Sequence, residues 1–224
     1  MKQKVPDHLH LGFGLTAPDS WLNVDGSWQV SLVRRPLLKK SLVVMSLLSR
    51  KQAEIPWKSQ VIRLNLSRPL PFADEQFSVS YSSHLLEHLY FDDALALLKG
   101  CYRVLQPGGI CRAVVPDLYA IAKRYIHQRE LGIPDASIHF MEELMVHDKR
   151  VNTGLLGTFY RLTGFHQHKW MYDAESLQQL FLAAGFSNTR QAEYLDSRIS
   201  RIREVEKAER ILNGQGIAIE GVKC

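Results

Sequence analysis

The sequence predicts an α/β fold, a mostly parallel sheet with helices on both faces. Three observations carry that expectation. Short apolar runs alternate with helical patterns along most of the 224 residues, as in sheets whose connections cover them. A run at Leu9–Phe13 meets two glycines, Gly12 and Gly14, and a second run, Leu22–Val24, ends at Asp25. Pro107-Gly108-Gly109 separates an amphipathic segment from another apolar run.

The elements follow in order. Leu9–Phe13 and Leu22–Val24 are the first two strands. Leu32 to Leu48 reads as a helix whose wet face carries Arg34, Arg35, Lys39 and Lys40. Val61–Leu66 is a third strand, followed by a loop with Pro69 and Pro71, and Phe77–Tyr81 is a fourth. Asp92 has the chemistry of an N-cap, and Leu95, Leu98, Tyr102 and Leu105 recur behind it at helical spacing. Ile110–Val115 is the fifth strand. Leu118 to Lys169 is mostly helical by pattern and rich in histidine. A short helix over Asp173–Ala184 closes at Gly185, followed by a strand near Arg190–Leu195, a charged helix over Arg201–Leu212 and a last strand at Ile217–Val222. Only Gly14–Ser20 joins the first two strands. Such a link reaches about 23–25 Å when extended, and returning past a short strand takes about 17 Å. An extended, helix-free return is therefore predicted.

Composition narrows the classes. With 28 Lys and Arg against 23 Asp and Glu, the net charge is +5, which reads as a solvated surface more readily than as a nucleic-acid footprint. Cys101, Cys111 and Cys224 have neither metal-ligand spacing nor a disulfide framework. His166 and His168 alternate, but no third ligand accompanies them, so no metal site is predicted. No run approaches the ~18–20 apolar residues of a membrane span, and no signal-peptide pattern opens the chain. The expected location is cytoplasmic.

The two glycines and Asp25 suggest a nucleoside cradle, with bare backbone against the ligand and a carboxylate accepting from a ribose diol. A dinucleotide needs a helix N-terminus straight after the glycines. Leu15–Ser20, with Pro18 in its middle, leaves no room for one. S-adenosylmethionine carries no phosphate and needs no such helix. A plain tight turn is the other reading of these glycines.

From Val61, VIRLNLSRPLPFADEQFSVSYSSHLLEHL and then ALALLKGCYRVLQPGGICRAVVPDL closely resemble the class I S-adenosylmethionine-dependent methyltransferases of the type-11, UbiE-like kind. GSW at Gly26–Trp28, HKWMYDAESL at His168–Leu177 and EGVK near the end resemble one bacterial branch of predicted methyltransferases. The resemblance implies a Rossmann-like, seven-stranded, mostly parallel sheet of order 3-2-1-4-5-7-6 with an antiparallel last strand. It implies one domain over residues 1–224, with 118–169 as a helical cap insertion. S-adenosylmethionine would be the cofactor. Gly12, Phe13 and Gly14 would pass under its methionine end and Asp25 would hold the ribose. Asn65 and Leu66 would flank adenine, and Ser82, Ser83 and His84 would line the methyl-donor end. The chain departs from the family at Asn65, where Asp is frequent, at Phe13, where a small residue is usual, and at His10 and Ser78.

Methyl transfer to a hydroxyl gains from orientation and from a base near the acceptor. His84, Asp117 and His168 are the catalytic candidates, placed by sequence at the ends of the fourth and fifth strands and in the HKW segment. Loop ordering, helix capping and packing are their respective structural alternatives. Glu87 and His88 are expected to cap or tether the following helix. The expected acceptor is a small molecule or glycan-related compound, methylated at oxygen and chosen by the helical cap. That cap could instead serve a homodimer. A nucleic-acid methyltransferase is the alternative enzyme, but SSHL stands where base N-methylation uses an Asn/Asp-Pro-Pro-aromatic turn. A non-catalytic binding protein of the same fold is the third reading.

Overall fold

The computed structural model describes residues 6–13, 16–27, 30–33, 35–45, 54, 61–146 and 167–224. Its centre is a seven-stranded sheet of order β3-β2-β1-β4-β5-β7-β6. The strands are β1 (His8–Leu11), β2 (Leu22–Asp25), β3 (Ile62–Arg63), β4 (Phe77–Ser83), β5 (Leu105–Pro116), β6 (Ser187–Ala192) and β7 (Gly216–Val222). β1, β2, β3, β4 and β5 run parallel, and β7 is antiparallel to both its neighbours. The expected order and the antiparallel last strand are both present.

The short return between β1 and β2 is helix-free over its described residues, as its length requires. Leu9 lies opposite Leu22 and Leu11 opposite Val24 in parallel register. Two local bonds shape the path: Thr16 N–H to Phe13 C=O at 3.0 Å and Trp21 N–H to Pro18 C=O at 3.1 Å.

Helices α1 (Val30–Val33) and α2 (Pro36–Val44) replace the single helix expected over Leu32–Leu48. Proline disfavours the helical conformation in the residue before it and suits a first turn, so the helix restarts at Pro36. Helix α3 (Phe91–Val104) starts one residue before the expected cap. Its N-cap is Tyr90, and Asp92 and Asp93 lie in its first turn, where negative charge opposes the helix dipole. Helices α4 (Leu118–Glu130) and α5 (Ala136–Leu144) follow β5. Helix α6 (Ala174–Ala183) has the predicted start: the Asp173 side chain accepts from the Ser176 N–H, and the Ser176 side chain returns a bond to the backbone of Asp173.

The charged helix expected over Arg201–Leu212 does not form. Three separate 3-10 turns stand there, at Ile202–Glu204, Ala208–Arg210 and Leu212–Gly214. Two side chains explain the break. Glu206 is pulled inward to Arg112, with Oε1 accepting from Nε at 2.7 Å, and Arg210 reaches Ser83. The third strand is shorter than Val61–Leu66, and β6 begins earlier than Arg190.

The core has two faces. Leu9, Leu11, Phe77, Ala113 and Val115 pack with Leu97 and Leu98 of α3 and Leu177 and Phe181 of α6. Val79, Tyr81, Val114 and Ala218 pack with Trp21, Ile199, Ile202, Val205 and Ile211 on the other side. Alternation along β5 and β7 assigns the faces. In β4 a register shift between Phe77 and Val79 moves one residue to the first face and its next-but-one neighbour to the second.

Candidate active site

β1 and β2 end side by side, and the glycine turn begins there. The Gly12 N–H donates to the Val24 C=O at 2.9 Å. Gly12 has φ +63, and a Cβ at that position would lie 3.1 Å from the side chain of Leu85. Both the backbone conformation and the close approach of Leu85 demand glycine. Phe13 packs into a small cluster with Ala17, Val30 and Val61. Asp25 is half-buried at the tip of β2, and its Oδ1 accepts from the Ser27 N–H at 2.7 Å. Leu66 is buried and Asn65 is exposed, with Asn65 Oδ1 accepting from the Ser67 N–H at 3.0 Å. Gly14 lies outside the described residues, as do Trp28, Trp57, His147, Tyr160 and His166.

His10, noted in place of a frequent Asn, braces the return loop from beneath. Its Nδ1 lies 3.2 Å from Asn23 Oδ1, and the Asn23 amide donates to the carbonyls of Pro18 and Trp21, both at 2.9 Å. Burial pushes His10 down to about 3, so the ring is neutral.

β4 runs two residues further than its apolar pattern, to the buried pair Ser82 and Ser83. Arg210 donates from Nη1 to the Ser83 carbonyl at 3.0 Å and to Ser83 Oγ at 3.2 Å. His84 follows with φ +54, a left-handed conformation uncommon outside glycine. Its N–H bonds the Val114 carbonyl at 2.9 Å, and its Nδ1 lies 3.4 Å from Ser83 Oγ. Burial, followed by the charges of Arg210, His168 and His88, pushes His84 down to about 3. The ring is therefore uncharged and able to accept a hydrogen bond.

Asp117 ends β5 and caps α4, its Oδ1 accepting from the Tyr119 N–H at 2.9 Å. A bridge to Tyr172 runs alongside, with the Leu118 N–H on the Tyr172 carbonyl at 2.9 Å. This contact seats the start of α4 against the segment that precedes α6.

A 3-10 turn at Leu86–His88 carries the next two polar residues. The tether expected of Glu87 is made by its backbone: its carbonyl accepts from the N–H groups of Lys169 at 2.7 Å and Trp170 at 3.3 Å. Its side chain caps nothing. The carboxylate is fully buried and neither oxygen has a hydrogen-bond partner among the described residues. Burial pushes it up to about 8, against the opposing pull of its own backbone N–H and of Arg210. His88 Nδ1 lies 3.2 Å from the Gln167 carbonyl, and the His88 and His168 rings meet edge to face at 5.0 Å. His168 is buried with Nδ1 unpartnered. Burial lowers its pKa, and a hydrogen bond to the Leu144 backbone opposes that. The structure thus brings His88 and His168 into ring contact, with His84 within reach of the charges of both, while Asp117 turns to its helix. Sequence reasoning missed the buried Glu87 carboxylate and Arg210, because each acquires its meaning from a segment far along the chain.

A cavity of about 290 Å³ lies between the loop after β3 and α3, lined by Leu66, Leu70, Leu97, Gly100 and Arg103 among others. Of the residues assigned to the cofactor, it touches only Leu66. No helix among the described residues is long and apolar enough to cross a membrane.

Residues 41–113 match the family model described as a methyltransferase domain. No curated protein matches the chain. Among solved structures, a S-adenosylmethionine-dependent methyltransferase from Methanosarcina mazei is 19% identical with a TM-score of 0.52, the alignment covering 99% of this chain and 93% of that one. A second from Archaeoglobus fulgidus is 18% identical with a TM-score of 0.50, covering 98% and 86%. Residues 41–113 are thus similar to a methyltransferase domain, and the chain shares its fold with the Methanosarcina mazei structure.

Proposed function

We propose that the protein transfers a methyl group from S-adenosylmethionine to a hydroxyl of a small-molecule or glycan-related acceptor. One observation carries the reading: Leu85, next to His84, packs on Gly12, so the glycine turn and the half-buried His84 adjoin at the carboxyl edge of the sheet. Open α/β sheets bind ligands at that edge.

The residues present fit a nucleoside at this edge. Gly12 has the backbone conformation a glycine turn needs, and the Asp25 carboxylate stands one residue beyond the Leu11–Val24 pair. Gly12, Phe13, Gly14, Ser82 and Ser83 would hold the methionine end, Asp25 the ribose, and Asn65 and Leu66 the adenine. When bound, the cofactor supplies a methyl carbon already activated by its sulfonium. What remains for the chain is to hold the acceptor in line with that carbon, for which orientation alone supplies ~7–11 kcal/mol. His84, uncharged, accepts the hydrogen bond of the acceptor hydroxyl, and His168 closes the other side. Asp117 acts through α4, whose start it fixes. Residues 118–169 form the cap insertion over the acceptor. Helices α4 and α5 of that cap stack Tyr125 on Phe140 at 4.7 Å and pair Arg124 with Glu143 at 2.5 Å.

Calorimetry with S-adenosylhomocysteine tests the reading. Wild type binds, and Asp25→Ala binds about tenfold more weakly or worse, as expected for losing charge-assisted bonds. Equal affinity in the two proteins would remove Asp25 from the ribose and overturn the assignment.

A further inference from the structure

We propose that Glu87, His88 and His168 form a binding site for a divalent transition metal, zinc being the best match. The inference goes beyond the methyl-transfer reading and does not rest on it. One ligand atom from each residue lies within 4.8 Å of the others. Ligand atoms around a tetrahedral zinc stand about 3.3 Å apart, so small rotations of three side chains close the site.

Three further observations point to a cation. The first is the Glu87 carboxylate, wholly enclosed with both oxygens unpartnered. An enclosed carboxylate is costly unless something compensates it, and a metal between it and two imidazoles does so directly. The second is the unpartnered Nδ1 of buried His168, a lone pair with nothing to meet among the described residues. The third is the support behind the two rings. His88 Nδ1 faces the Gln167 carbonyl at 3.2 Å, and the Leu144 backbone acts on the His168 ring to raise its pKa. Metal-bound histidines donate their second ring N–H to just such acceptors, which fixes the ring and its tautomer.

The backbone holds the two halves of the site together. The Glu87 carbonyl binds the N–H groups of Lys169 and Trp170, and the His168 N–H binds the Met145 carbonyl at 3.0 Å. The donor set chooses the metal class: two imidazoles with one carboxylate suit zinc and its neighbours, whereas magnesium and calcium prefer oxygen alone. Three protein ligands leave a fourth position open to water or a ligand.

The test uses the full chain, stripped with chelator and then titrated with zinc chloride, with bound metal counted by mass spectrometry after desalting. The expected result is one zinc per chain. Glu87→Gln and His168→Ala are expected to bind zinc at least about tenfold more weakly, while exposed His127→Ala on α4 keeps the wild-type value. Cobalt(II) loading adds a readout independent of activity, the intense visible bands of a tetrahedral site. Wild type that retains no stoichiometric zinc, or Glu87→Gln and His168→Ala proteins that bind it as tightly as wild type, would overturn the proposal. Binding of S-adenosylhomocysteine is measured on the same samples. Zinc without the nucleoside upholds the metal site and removes the cofactor assignment. The nucleoside without zinc does the reverse.

Discussion

Two buried polar clusters in this protein are built on opposite rules. Around Arg112, which is wholly enclosed, each charge is met. Its Nε and Nη2 bond the two oxygens of Glu206 at 2.7 and 3.0 Å, its Nη1 and Nη2 also bond the carbonyls of Asp196 and Glu193, and Glu220 lies 3.4 Å away. Glu206 takes a further bond from the Leu195 N–H, and Glu220 takes bonds from Arg190 and Ser197. Around Glu87 the reverse holds: a buried carboxylate and a buried imidazole nitrogen have nothing to bond. The first cluster fastens β5, β7 and the 3-10 turns after β6 into one piece. The second lies at the sheet edge where ligands bind, and leaves its polar atoms open. A folded chain that satisfies one buried network so fully is able to satisfy another, so the open one marks a place reserved for something else.

That contrast can be broken by substitution. Arg112→Met strands two enclosed carboxylates and is expected to cost about 3–5 kcal/mol, read as a lower denaturant midpoint at pH 7. A loss well below that range would show the network to be ornamental. Glu87→Gln is expected to do the opposite in metal-free protein. The raised pKa of Glu87, about 8 against a usual 4.5, means the folded state holds a proton that the unfolded state releases between those values. Stability contributed by that proton is complete below about pH 4.5 and is lost as pH rises to about 8, by a few kcal/mol. Glu87→Gln should flatten this decline, with Arg210, Tyr172, His88 and His168 still facing the position. A wild-type profile that is flat across the window, or a decline that survives in the variant, would place the effect elsewhere. The smallest effect is expected at Asp117→Ala: about 1 kcal/mol from a lost helix cap, with S-adenosylhomocysteine affinity unchanged in calorimetry. A large drop in affinity would instead put its carboxylate in the ligand site.

The central strands were legible because each is a short apolar run between turn residues, whereas their order in the sheet came from the family resemblance. The start of α6 was legible because Asp173 and Ser176 carry their capping bonds within four residues. The tip of β2 was legible for the same local reason, one carboxylate after an apolar run. Residues 201–212 read as a helix because their charges have helical spacing. Glu206 and Arg210 then leave that pattern for partners 94 and 127 positions away, and no local rule contains those partners. The same distance hid the metal ligands. Glu87 and His88 are neighbours, but His168 joins them from far along the chain, so the alternating His166 and His168 drew notice while the convergence of Glu87, His88 and His168 did not.

The antiparallel insertion at the sheet's edge sets an order of assembly. β6 pairs only with β7, and β7 lies between it and β5. When β6 leaves the ribosome it has no sheet to join until the following two dozen residues have been made. The Arg112 cluster, whose partners span both sides of that gap, is in consequence a late event in folding. Variants that weaken it should therefore quicken unfolding far more than they slow refolding.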